Sequence, residues 1–422
     1  MTIGRWTLLT LTAILAAACS QPVTSPPATE YRNGRWFDGT QFVARDMWVT
    51  GKTLSESRPA RVADVVDLHG GFVVPPYGEA HNHWLEPQLV DAYVQTYLRD
   101  GIFYVKDQST APQFHDQMRP ALNGPAAVDY IAAHQGFTGP DGHPIEIIVG
   151  LAQLGILPAG WAKTQGEGDA LFVVTAKEDI DRVWPRLMAG RPDFVKVFLV
   201  HSDEYAARRD NRALSPKQRG LDPALVPLIV ARAHGERLRV SAHIENAHDF
   251  HVAIAAGVDD IAHMPFVDNS NPDSYRLADA DLRAAAARGV SIATTLDWMT
   301  EATAGRQIQV ARDNIARMKE AGNTVVIGTD QFRKTARVEA ELITSRQLMS
   351  PLELLQAWSV ATPRAIFPGR QIGRLANTFE ASFLVLEGDP LVDTANLHRI
   401  TMWVKQGQKF TPRDTKLPAL GG

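Results

Sequence analysis

Six side chains in this sequence have the types and spacing to hold metal ions. In "GEAHNHWLEP", His81 and His83 flank one asparagine just after the apolar run "GFVVPPY". Alternate side chains of an extended segment point to the same side, so residues two apart can grip one ion. A lone H-x-H also occurs on ordinary loops, and what accompanies it decides. His243 ends "LRVSAH", His263 ends "VDDIAH" and Asp330 ends "TVVIGTD". Lys196 interrupts the apolar strand "DFVKVFLV", where an ammonium is costly unless it is paired or neutralised. Addition of CO₂ to its neutral amine would give a carbamate, an anion with two oxygens able to bridge two cations.

Those positions need a scaffold that gathers strand ends. From about Gly71 the chain alternates strand and helix patterns. After the strand ending in "EAHNH" come "GIFYVKD", "AAVDYIAAH", "DFVKVFLV", "LRVSAH", "VDDIAH", "VSIATTLD" and "TVVIGTD". Helical patterns such as "EDIDRVWPRLMAG" and "VARDNIARMKEAG" lie between most of them, several closed by the glycine expected just past a helix. Eight such units predict an α/β fold, a (β/α)₈ TIM barrel over residues 73–370, with active-site groups at the C-terminal ends of strands. Short alternating runs near both chain ends predict a composite β-sandwich domain from 34–72 and 371–415.

The chain has 422 residues, 45% hydrophobic and 21% charged, enough to bury a large core. Its net charge of −4 comes without a basic stripe, which argues against a nucleic-acid partner. The single cysteine, Cys19, follows "MTIGRWTLLTLTAILAAA", a basic start and an apolar run too short to span a bilayer. Residues 1–18 are therefore expected to be a signal peptide. "LAAAC" resembles a bacterial lipobox, with Ala16 where that motif usually has leucine. Cys19 would then be lipidated, with 19–33 a Pro/Ser/Thr tether. Ser20 favours export to the outer membrane, facing the periplasm, with the lipid anchor as the only membrane contact.

With these residues in place, the chain after the tether, about 31–412, resembles the amidohydrolase superfamily. The likeness rests on His81 and His83, the fourth-strand Lys196, the fifth- and sixth-strand His243 and His263, and Asp330 in "IGTD". The spacing "AHIENAHDFHVAIAAGVDDIAH" and the tail "ATPRAIFPGRQIGRL" followed by "FLVLEGDPL" are similar to the branch of imidazolonepropionases and Xaa-Arg or Xaa-Pro dipeptidases. That tail usually carries Ala-Asp before its strand; here it is Ala381-Ser382.

The ligand set then implies a binuclear site. His81, His83 and Asp330 would hold one divalent ion and His243 and His263 the other, with a Lys196 carbamate and a hydroxide bridging them. Zinc suits such N/O ligation. Two cations lower the pKa of the bridging water and polarise a carbonyl, while Asp330 would pass the proton to the leaving nitrogen. The expected reaction is hydrolysis of a small amide, such as a dipeptide or an N-acyl amino acid. A lactonase or phosphotriesterase on the same two metals is the alternative. A mononuclear deaminase would carry glutamate at position 246, which is Asn246, and would leave Lys196 without purpose. A non-catalytic binding lipoprotein would be expected to have lost ligands, and none is missing.

Weaker expectations attach to His134, His201, Tyr205 and Arg333, all placed on the active face as substrate contacts, with the Arg333 fork suited to a carboxylate. Residues 136–169 are too long for a plain connection and read as a lid. His248 and His251 read as surface or packing residues on a helix, and His69, His115, His143, His234 and His398 receive no role.

Overall fold

The structure, a computed structural model, describes residues 26–265, 271–297, 299 and 304–414. Cys19, the expected signal peptide 1–18 and residues 19–25 of the expected tether lie outside the described residues. No helix among the described residues is long and apolar enough to cross a membrane.

Each of the eight expected core strands is present, and all their pairings are parallel. The first three, Tyr77–Asn82, Ile102–Asp107 and Asp129–Ala132, form one sheet. The other five, Phe194–Phe198, Arg239–His243, Asp260–Ile261, Ser291–Ala293 and Thr324–Val326, lie side by side in a second. Backbone hydrogen bonds link the sheets at more than one place. Ala133 and Phe194 form a parallel bridge, and Ala80 N–H donates to Ile327 O at 2.9 Å. The strands are short, apolar and buried on both sides, as parallel strands covered by helices must be.

The helices lie close to where their patterns place them, at Lys177–Ala189, Val226–Gly235, Ala247–Ala256, Asp279–Ala287 and Ala304–Glu320. Asn246 caps one by accepting from Asp249 N–H at 2.9 Å, and Gly257 ends it with φ of 95°. Aromatic packing fills the core: Tyr77 stacks on Trp358 at 4.0 Å, and Trp358 donates its ring N–H to Gly78 O. Burial of such a ring contributes about 2–3 kcal/mol.

Both chain ends contribute strands to a further sheet, of eight strands, which forks at Ala28–Phe37. That strand pairs antiparallel with Phe42–Thr50, parallel with Val62–Asp67 through its first half, and parallel with Phe72–Val74 through its second. A register break between Tyr31 and Gly34 lets one strand serve three partners. The strand also begins inside the stretch expected as tether. Tyr31 is buried edge-on against Phe383, 5.0 Å between ring centres, so residues 28–33 are held by packing that composition alone did not disclose. Lys405 clasps this sheet to the third core strand. Its fully buried ammonium donates to Asp129 Oδ1 (2.6 Å), Ala127 O (2.6 Å) and Gly124 O (2.8 Å).

Candidate metal centre

His81 lies in the first core strand and His83 just past its end. Their Nε2 atoms are 3.3 Å apart, and each is 3.0 Å from Asp330 Oδ1. The opposite ring nitrogens are already used: His81 Nδ1–H donates to Ala262 O at 2.6 Å and His83 Nδ1–H to Ser109 O at 3.2 Å. Those bonds fix the tautomer that leaves both Nε2 lone pairs facing Asp330, as a metal ligand requires. Asp330 lies four residues beyond the eighth strand, with φ of 57°. This left-handed backbone is held by Asp330 N–H donating to His81 O at 2.8 Å. Gly328 makes the approach possible, because a Cβ there would sit 2.7 Å from His81 N.

The second pair is adjacent. His243 Nδ1 and His263 Nε2 are 2.7 Å apart, and the His263 ring stacks on His81 at 5.6 Å. His263 Nδ1–H donates to Met264 O at 2.9 Å, and His243 Nε2 meets Glu245 Oε1 at 3.2 Å. Burial, with neighbouring His143 and Lys196 adding to it for His243, holds both imidazoles well below their ordinary pKa. Burial likewise lowers His81 to about 4. His83 is the exception: burial opposes its protonation, but its contact with Asp330 outweighs that and raises its pKa. The other three imidazoles are held neutral, the form that binds metal. Burial opposes ionisation of Asp330, but its contacts with His81 and His83 outweigh that and hold it well below the usual carboxylate range. The donor set fits divalent cations: nitrogen lone pairs and one anionic oxygen, oriented by hydrogen bonds on their far sides.

Lys196 is 1% exposed and faces the same cavity. Its Nζ lies 3.4 Å from Gln108 Oε1, which also accepts from Ser241 Oγ at 2.8 Å. No carboxylate forms an ion pair with it among the described residues. Burial pushes its pKa down to about 7. Lys106, in the second strand and not singled out from sequence, differs: it is equally buried but pairs with Asp260 at 2.6 Å.

The weaker expectations are placed elsewhere. His134 is fully buried and meets His115 Nδ1 at 3.0 Å, away from the cavity wall. His201 lies on a turn pinned by Asp249, which accepts from His201 N–H, Ser202 N–H and Ser202 Oγ–H, and Tyr205 begins the short helix Tyr205–Arg208 that follows. Neither lines the cavity. Arg333 is engaged by the chain itself: Nε and Nη2 donate to the two oxygens of buried Glu86 at 2.7 and 2.6 Å. A residue given no role from sequence enters instead. The His143 ring stacks on His243 at 4.3 Å and its Nδ1 meets Glu146 Oε1 at 2.8 Å. No signal in the sequence marked it, since it is far from any core strand's end. Asn246 is used as a helix cap, consistent with the absence of a proton-shuttling carboxylate there.

The cavity holds about 210 Å³, with His81, His83, Lys196, His243 and Asp330 among its lining residues. The expected lid folds into helices Ile145–Gln153 and Trp161–Thr164, which form much of its wall.

Residues 214–415 match the model of the amidohydrolase family. That match spans just under half of the chain. The matched residues include His243, His263 and Asp330, and a likeness of fold to solved structures extends over nearly the whole chain. An amidohydrolase crystal structure superposes with a TM-score of 0.68 at 18% identity, covering 92% of this chain and 99% of that one. A Xaa-Pro dipeptidase with bound methionine gives 0.68 at 16%, covering 91% and 100%. Phenylurea hydrolase B gives 0.68 at 16%, covering 93% and 100%. At such identities the likeness is one of fold. No curated protein sequence matches the chain.

Proposed function

We propose that this protein is an amidohydrolase that cleaves an amide bond of a small substrate, such as a dipeptide or an N-acyl amino acid, at two zinc ions. The observation that carries this reading is the convergence of His81 Nε2, His83 Nε2 and Asp330 Oδ1 beside the His243–His263 pair, with Lys196 on the same cavity. The similarity in fold to a Xaa-Pro dipeptidase and to phenylurea hydrolase B supports C–N cleavage. The links between the sheets support a closed (β/α)₈ barrel as the scaffold.

His81, His83 and Asp330 would hold one ion, and His243 and His263 the other. The neutral Lys196 amine would add to CO₂, forming an N–C bond and releasing a proton, and the resulting carbamate would supply the ions with anionic oxygen donors. Bound there, two divalent cations supply Lewis acidity and a nucleophile near neutral pH. Asp330 Oδ takes the proton from the attacking water and delivers it to the departing nitrogen as the C–N bond breaks. The ordered far-side hydrogen bonds of His81, His83 and His263 keep the donors aimed without rearrangement.

Metal-replete protein, from Ser20 onward, is expected to contain two divalent ions per chain and to hydrolyse members of a panel of dipeptides, N-acyl amino acids, hydantoin-like rings and lactones. Chelation should abolish turnover. One ion or none, with no amide cleaved, would remove this reading, and turnover of lactones alone would transfer it to ester chemistry.

The export reading is a separate proposal: Cys19 carries lipid and holds the enzyme at the outer membrane. Mass spectrometry of the membrane fraction is expected to show a mature chain starting at a lipid-modified Cys19. An unmodified chain retaining Met1 would end that proposal.

A further inference from the structure

Two unlike sets of residues line the cavity. One is the candidate metal ligands. The other is the apolar group Phe114, Ile148, Leu151, Leu157 and Trp161, packed in one cluster, and Phe332 also lines the cavity. Within that cluster Ile145, Ile148 and Ala152 are buried along one face of the lid helix, at spacings that place them in line. Trp161 stacks on Phe114 from the neighbouring loop helix, 5.7 Å between ring centres. Packing of this kind makes a preformed wall. Among the described residues lining the cavity there is no arginine, and Lys196, one of the candidate metal ligands, is the one lysine. Arg333, the nearest candidate to receive a carboxylate, is closed off by its two bonds to Glu86.

An anionic group pushed against this wall would lose its water and gain no partner, whereas a ring or branched alkyl group would lose only apolar contact with water. We propose that the lid helices select substrates by an uncharged, apolar group, an aromatic ring or branched alkyl chain, held next to the scissile bond. This rests on the amide-hydrolase reading and narrows it: a carboxylate elsewhere on the substrate projects toward solvent and is not what the site reads.

Two matched series test it with the full metal-replete chain. Acetamide, phenylacetamide and succinamate vary the acyl side; N-methyl-, N-benzyl- and N-carboxyethylacetamide vary the nitrogen side. On one side of the bond, the benzyl member is expected to exceed the methyl member in kcat/KM by about tenfold or more, with the carboxyl member lowest. Ile147, half exposed where it meets the cavity, can be changed with little effect on folding. Ile147→Asp is expected to bring the benzyl-to-methyl ratio to within about threefold of unity, whereas Ile147→Leu should preserve it. A carboxyl member that equals or exceeds the benzyl member on both sides, or a ratio that Ile147→Asp leaves unchanged, would overturn the inference. If no amide in either series is cleaved, the hydrolase reading fails separately. Calorimetric binding of the same six compounds then still decides the lid: tighter binding of the benzyl members supports it and equal binding refutes it.

Discussion

Asp330→Asn is expected to lower kcat by about 10³-fold, within the range seen when a positioned acid–base group is removed, while the protein stays folded. Asparagine has the shape of aspartate and is among the residues that tolerate left-handed backbone, so the φ of 57° and the bond from residue 330 N–H to His81 O survive. What is lost is the anionic Oδ1 that His81 and His83 both face at 3.0 Å. The amide cannot accept the proton from the attacking water, and its weaker donor oxygen should also lower metal content. Asp330→Ala is the less clean experiment, since alanine at positive φ adds about 1–2 kcal/mol of backbone strain. The decisive measurements are kcat under metal-saturating conditions, metal content and thermal midpoint for the asparagine variant. Activity within about threefold of the unaltered enzyme would take Asp330 out of the reaction.

Lys196→Arg is the second large effect: activity should fall to background with metal content reduced. Arginine keeps a positive charge but cannot form a carbamate. Lys196→Ala should lose metal and activity together, and acetate or propionate entering the vacated space should partly restore both. An ion-pairing lysine would behave differently, altering stability while leaving metal near normal. Lys196 Nζ meets the neutral Gln108 amide oxygen and lies over the Phe198 ring, whereas Lys106 meets Asp260. The pH dependence follows in sign. Burial lowers the Lys196 pKa to about 7, so the neutral amine that reacts with CO₂ is depleted as pH falls below that value. Reloading of stripped enzyme with metal and bicarbonate should therefore weaken from pH 8 to pH 6. A fully metallated, active Lys196→Arg enzyme would refute the carbamate and with it the binuclear assignment.

The legible features were those carried by local pattern. Strand-terminal positions of His81, His243, His263 and Asp330 could be read because a barrel-like alternation of strands and helices sends successive strand ends to one face. The glycines and caps that close the helices act over a single turn, so helix limits were readable too. The register break near Gly34 was not, since it depends on three strands from different parts of the chain competing for Ala28–Phe37. His143 was missed for the same reason: it stacks on His243, a hundred positions along the chain, and nothing near it in sequence points there.

By itself the sequence determined the repeating strand–helix order, the donor types and the face on which they emerge, because these follow from residue identity and a period of two or 3.6. Partners across the chain were decided only by tertiary structure. Lys106 and Lys196 carry the same local signal, a lysine inside an apolar strand, and the fold gives one a carboxylate and leaves the other beside a neutral amide, lining the cavity with His81, His83 and Asp330. Arg333 looks free to bind a substrate until Glu86, distant in sequence, occupies both arms of its fork. His134 reaches the active face by strand order yet turns inward to His115. In each case the outcome depends on which polar group lies within about 3 Å in a medium that cannot supply water, and the spacing along one segment does not encode that distance.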